Sequence, residues 1–134
     1  MHTTLSLLLF IFFHTVTAQV TFTDVSATAG NGICDGTARG ISWTDFNNDK
    51  FSDLFVVTSG SSANKLYMNL GNGTFTDVAA NVGLNDMANT ITCSWADIDN
   101  DDDFDVITSA TSAPVRLWRN NRESATDTTF TSIE

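Results

Sequence analysis

After residue 19 the apolar residues of the chain come in short runs of strand length, separated by polar turns. "RGISWTD" (39–45) and "DLFVVTS" (53–59) carry branched or aromatic residues over seven positions each, the composition of β-strands. "KLYMN" (65–69) and "TFTDV" (74–78) alternate, and "LGNG" (70–73) between them is a hairpin turn. The same order returns in "ITCSWAD" (91–97), "DVITSA" (105–110) and "VRLWRN" (115–120). No stretch holds a helical period for ten residues; 26–32 and 79–84 have room for one helical turn.

These runs are copies of one unit. "FTDV" at Phe22–Val25 recurs at Phe75–Val78, and "SWTDFNNDKFSDLFV" from Ser42 aligns with "SWADIDNDDDFDVIT" from Ser94. "NKLYMN" (64–69) aligns with "VRLWRN" (115–120), and "FTSI" (130–133) opens a third copy. Four blocks held in order at a spacing near fifty residues indicate a propeller, solenoid or array. Each copy reads as four short antiparallel strands with an Asp-rich loop between the first and second. Four-stranded sheets repeated radially make a β-propeller. The expected fold is therefore all-β: about two four-stranded antiparallel blades and the start of a third. The organisation is residues 1–18, a first repeat over 19–74, a second over 75–129, and the start of a third at 130–134.

The first eighteen residues follow another rule. Leu5–Phe13 is nearly unbroken apolar sequence, too short for a bilayer, which needs roughly twenty residues. It matches the apolar core of a secretory signal, with Val16 and Ala18 placing cleavage before Gln19. The competing reading is a buried N-terminal strand, and the region before Leu5 carries no Lys or Arg. No later segment is long and apolar enough to span a membrane, so the expected location is secreted, extracellular.

Cleavage would also remove His2 and His14, the chain's two histidines. That excludes Ser–His and Cys–His nucleophilic pairs and imidazole-containing zinc or copper sites. Cys34 and Cys93 form a plausible bridge in an oxidising compartment. They are equally readable as two separate buried thiols, or as partners of cysteines in a longer chain.

The net charge of −10 leaves no basic patch for phosphates, so nucleic acid is an unexpected partner. The acid is concentrated: nine of the sixteen carboxylates lie in residues 45–53 and 97–105, whereas a general solvating role would scatter them. Taking the first Asp of each stretch as position 1, positions 1, 3, 5 and 9 are Asp45, Asn47, Asp49 and Asp53, then Asp97, Asp99, Asp101 and Asp105. Short oxygen ligands at alternate residues let a tight loop aim several side chains at one centre. The carbonyls at position 7, Phe51 and Asp103, would complete a set of hard oxygens suited to Ca²⁺. Magnesium, which keeps several waters in strict octahedral geometry, fits less well. An EF-hand shares the opening spacing but needs Glu at position 12 and flanking helices. Position 12 is Val56 or Thr108, and both flanks are strands. The plainer alternative is a pair of solvated turns, in which Asp is common.

The segments "WTDFNNDKFSDLFV", "WADIDNDDDFDVIT" and "NKLYMNLGNGTFTDV", with the F-T-D-V openings, resemble FG-GAP/VCBS repeats, those of integrin-α-type propellers and of secreted proteins related to cartilage acidic protein. The resemblance covers about 22–134. It implies propeller blades whose first loop holds Ca²⁺ through Asp45, Asn47, Asp49, the Phe51 carbonyl and Asp53. In the second loop the ligands would be Asp97, Asp99, Asp101, the Asp103 carbonyl and Asp105. Up to two structural calcium ions are expected, the second loop binding more tightly because it has one more ligand carboxylate. The family places Gly at position 6, where this chain has Lys50 and Asp102.

Closed propellers have four to eight blades, so further repeats of a longer protein, or self-association, are needed to close one. Trp43 and Trp95 occupy matching places, as do Tyr67 and Trp118, and all four read as blade-packing residues. Asn72-Gly73-Thr74 is a glycosylation sequon or a plain turn. Arg116, Arg119 and Arg122 read as solvated or loop-neutralising. The expected function is an extracellular binding or adhesion scaffold for a protein or glycan. A lectin-like, carbohydrate-binding propeller is the alternative. An enzyme using Asp pairs has less support, since the aspartates are better explained as ligands and no nucleophile motif is present; no catalytic residues are expected.

Overall fold

The computed structural model describes residues 19–30 and 37–133. The signal-like segment, Cys34 and Glu134 lie outside them. Eight strands form: β1 (Ala38–Thr44), β2 (Asp53–Thr58), β3 (Lys65–Asn69), β4 (Phe75–Asp77), β5 (Thr90–Ala96), β6 (Asp105–Ala110), β7 (Arg116–Asn120) and β8 (Phe130–Ile133). They make two four-stranded antiparallel sheets, β1-β2-β3-β4 and β5-β6-β7-β8. The sheets are laid out like two propeller blades and do not close into a ring. The short helical turns expected at 26–32 and 79–84 are α1 (Ser26–Ala29) and α2 (Ala79–Val82).

Register repeats along with sequence. Trp43 lies opposite Leu54 and Thr44 opposite Asp53; Trp95 lies opposite Val106 and Ala96 opposite Asp105. Each first strand carries a register shift at its start, between Ala38 and Gly40 and between Thr90 and Thr92.

The segment at 130–133 pairs with β7 and is the outermost strand of the second sheet, just as 75–77 is of the first. The sequence repeat and the structural sheet are thus offset by one strand: each F-T-x-x opening supplies the last strand of the sheet before it. Phe22–Val25, the earliest such opening, is exposed and not in a strand.

The core lies between the sheets. Side chains alternate along a strand, so Phe55 and Val57 of β2 face the second sheet while Leu54 and Val56 face away. Phe55, Val57 and Leu66 pack with Val106 and Phe130, while Trp95 wedges against Phe55 at 5.7 Å and Phe130 at 5.9 Å, both edge-to-face. Gly40 permits this closeness, because a Cβ there would stand 3.1 Å from the Ile91 carbonyl oxygen and 3.2 Å from Val57. Ala79, Val82 and Leu84 close the core from the connection between sheets.

The matched aromatics divide. Trp95 and Trp118 pack into the inter-sheet core as expected. Tyr67 is buried on the opposite face of the first sheet with Leu54 and Val56. Trp43 touches Phe75 edge-to-face at 6.1 Å but remains exposed, since no described residue packs over that face as the first sheet packs over Trp95. Among the described residues Cys93 has no disulfide partner, and the expected bridge to Cys34 falls outside them. Burial pushes the pKa of the half-buried Cys93 thiol up to about 11, which disfavours the reactive thiolate near neutral pH.

Candidate functional site

The two acidic loops, 45–53 and 97–105, join the first and second strands of their sheets. Each loop winds around the carboxylate that begins it. Asp45 accepts the backbone N–H of Asp49 at 3.0 Å and of Lys50 at 2.8 Å. Asp97 accepts those of Asn100 at 2.7 Å, Asp101 at 3.2 Å and Asp102 at 3.1 Å. At position 5, Asp49 accepts the N–H of Phe51 and Asp101 that of Asp103.

Position 9 anchors the loop to its sheet. Asp53 accepts Phe46 N–H at 3.2 Å and Asn69 N–H at 2.8 Å; Asp105 accepts Ile98 N–H at 3.0 Å and Asn120 N–H at 2.8 Å. The alternating carboxylates are therefore backbone-bonded at matching positions in both loops, unlike scattered surface charges. These bonds fix the carboxylate orientations before any ligand arrives, although they also satisfy the groups in part.

The tight winding uses left-handed backbone at two places per loop. Lys50 and Asp102, at the position where the resembled family has glycine, have φ of 77° and 68°. Each non-glycine residue there costs on the order of 1 kcal/mol, less for Asp than for Lys. Asn48 and Asn100, at position 4, are left-handed too, with φ of 60° and 63°. The presence of Asn at both, the residue type that best tolerates this region, is the signal that marks this second turn.

The loops differ in what their side chains do. In the second, one carboxylate oxygen each from Asp97, Asp99 and Asp105 lies within 4.8 Å of the others. Among the described residues this is the group of three or more carboxylates that converges in this way. Asp101 is not part of that group, and Asp103 gives its side chain to an ion pair with Arg122. Asp99 faces Arg119 at 3.8 Å. Its pKa is raised, first by desolvation and then by Asp101, Asp105 and Asp97, with Arg119 opposing. Two of the three arginines thus neutralise this loop, while Arg116 pairs with Asp86 at 2.6 Å.

In the first loop Asn47 takes the place of Asp99. It is buried, and its amide nitrogen donates to Asp49 at 2.9 Å and to the Ala125 carbonyl at 3.3 Å. Asp53 is fully buried, and burial first, then the charges of Asp49 and Asp45, pushes its pKa up to about 6. Phe51 is exposed, its ring lying against Gly71.

Sequence reasoning missed the asparagines that close each third strand. Asn69 and Asn120 hold the position 9 carboxylates through their backbone N–H groups. The buried Asn120 amide also donates to the Phe46 carbonyl of the first loop at 2.9 Å and to that of Phe104 at 3.2 Å. Asn48 donates to the Asp102 carbonyl at 3.3 Å, so the loops touch directly. The shared final Asn of "NKLYMN" and "VRLWRN" was the available signal.

An all-oxygen donor set, crowded and short of positive charge, suits a hard cation. Asp97, Asp99 and Asp105 meet that description best, and the Asp45, Asn47, Asp49 and Asp53 set has the same backbone frame with Asn47 in place of the Asp99 carboxylate. No curated protein matches the chain. A family model does: residues 45–108, from the first Asp of the first loop to β6 of the second sheet, match the FG-GAP-like repeat. Such repeats are typical of extracellular and cell-surface binding proteins, and none of the described helices is long and apolar enough to cross a membrane. With two matching sheets, two matching loops and that family model in agreement, the segment 45–108 belongs to the FG-GAP-like repeat family.

Proposed function

We propose that this chain is a secreted, non-catalytic binding or adhesion scaffold of propeller blades whose acidic loops hold structural Ca²⁺, up to two ions per chain. The observation that carries the reading is the convergence of Asp97, Asp99 and Asp105 within 4.8 Å, on a loop whose backbone already orients them. Carboxylates so placed repel one another, and the Asp99 pKa is raised first by desolvation and then by its carboxylate neighbours. A bound divalent cation supplies the missing positive charge and ties the loop to the strands on either side. Asp97, Asp99, Asp101, Asp105 and the Asp103 carbonyl would hold it in the second loop. Asp45, Asn47, Asp49, Asp53 and the Phe51 carbonyl would do so in the first.

A ligand that binds only the folded chain stabilises it by about 2.7 kcal/mol at a hundredfold excess over its Kd. Adding EDTA to calcium-loaded protein is therefore expected to lower the melting temperature by several degrees. An unchanged melting temperature would remove the basis for a structural calcium role. The partner is a protein or glycan outside the cell, and the scaffold reading requires that the chain be recovered from the medium when expressed with its own N-terminus.

A further inference from the structure

The two outer faces of the sheet pair are repeat equivalents of the two faces that already pack together inside it. On the outer face of the first sheet, Ile41 is 60% exposed and Trp43 55%, beside Phe75. Their equivalents in the second sheet, Cys93, Trp95 and Phe130, pack on Phe55, Val57 and Leu66. On the outer face of the second sheet, Ile107 is 41% exposed and Ile133 43%, beside half-buried Leu117. Ile107 and Leu117 are the equivalents of Phe55 and Leu66, which pair across β2 and β3 as they do across β6 and β7. One end of the molecule thus presents the type of surface that the other end is shaped to receive.

From this we infer that a second copy of the chain docks head-to-tail, the Ile107 face of one copy covering the Trp43 face of the next. The contact continues the sheet-on-sheet stacking already present between β1 and β5. It is heterologous, so repetition closes into a ring or runs on.

Two features set its strength. Thr92 stands where Gly40 admits the neighbouring strand inside the chain. The copy-to-copy contact is therefore looser than the internal one, and Thr92→Gly tightens it. The net charge of −10 per copy opposes association at low ionic strength, so added salt strengthens it. Neither feature requires calcium, so this inference stands or falls separately from the proposed metal sites.

Sedimentation velocity on the full chain at tens to hundreds of micromolar, with and without EDTA, tests it. The wild type is expected to show concentration-dependent oligomers. Trp43→Asp and Ile107→Asp should each be monomeric alone, and an equimolar mixture should form a one-to-one dimer through the intact face of each. Ile41→Asp and Ile133→Asp, with retained cooperative melting, repeat the test should either first variant fail to fold. A wild type that stays monomeric throughout would overturn the proposal, as would a mixture that stays monomeric. An Ile107→Asp variant that still dimerises by itself would also overturn it, in favour of a symmetric Trp43-to-Trp43 contact.

Discussion

The two repeats carry nearly the same pattern but live in different surroundings. In the second, Trp95 is wedged between sheets while its acidic loop lies open, with Asp97, Asp99, Asp101 and Asp102 exposed. In the first, Trp43 is exposed, while the acidic loop is partly covered: Asn47 and Asp53 are buried, and the Ala125 carbonyl and the Asn120 amide reach it from the second repeat. Neighbours account for both differences. The second sheet covers one face of the first and sends its β7–β8 connection over the first loop, and among the described residues nothing does the same for the second. Equal sequence positions therefore carry unequal energies, and the gap between them can be measured.

The largest gap should be between the tryptophans. Trp95→Ala is expected to cost about 3–5 kcal/mol, as for a large aromatic removed from a core, and Trp43→Ala well under half of that. Chemical denaturation of both variants checks this. Equal losses would mean that the Trp43 face is covered in solution, which dilution below the association range would then distinguish from a misjudged core.

The next contrast is in pH. Burial raises the Asp53 pKa to about 6, against roughly 3.9 in an unfolded chain. The folded chain then holds a proton that the unfolded chain has released. Without calcium, the stability this group contributes is present in full below about pH 4 and is lost as pH rises through about 6. Melting temperature in EDTA should fall across that window, and the fall should flatten in Asp53→Asn. A calcium ion held as proposed would compete with the same proton, so the stabilisation it gives should grow over the same interval. A flat profile in EDTA would mean that Asp53 stays ionised.

Smallest is the turn at position 6. Lys50→Gly and Asp102→Gly each relieve a left-handed non-glycine residue, worth on the order of 1 kcal/mol, offset in part by the greater freedom glycine gives the unfolded chain. The gain should be larger for Lys50, since Asp tolerates positive φ better. A loss at both positions would show that the wild-type residues make compensating contacts in solution.

Much of this was legible beforehand. Strand composition, alternation and the repeat placed the first seven strands and the loops between them, because strand alternation and turn composition are local properties. Position 6 stood out because Lys50 and Asp102 replace the glycine of the resembled family, and both are left-handed. What escaped depends on neighbours distant in sequence. The assignment of "FTSI" to the second sheet is a matter of pairing with β7. The burial of Asn47 comes from a loop 78 residues away. The Asn120 amide is spent on a carbonyl 74 residues earlier. The contrast between Trp43 and Trp95 is invisible in two identical Ser-Trp pairs, because only packing order separates them.

The central claim is that the alternating aspartates are cation ligands, with the converged second loop the stronger site. Calorimetric titration of calcium-free protein with Ca²⁺, on the wild type and on Asp97→Ala and Asp45→Ala, tests this most directly. Binding is expected in the wild type, with its tighter component removed by Asp97→Ala and a weaker one by Asp45→Ala. Absence of binding heat together with an unchanged melting temperature, or equal loss of affinity in the two variants, would contradict it.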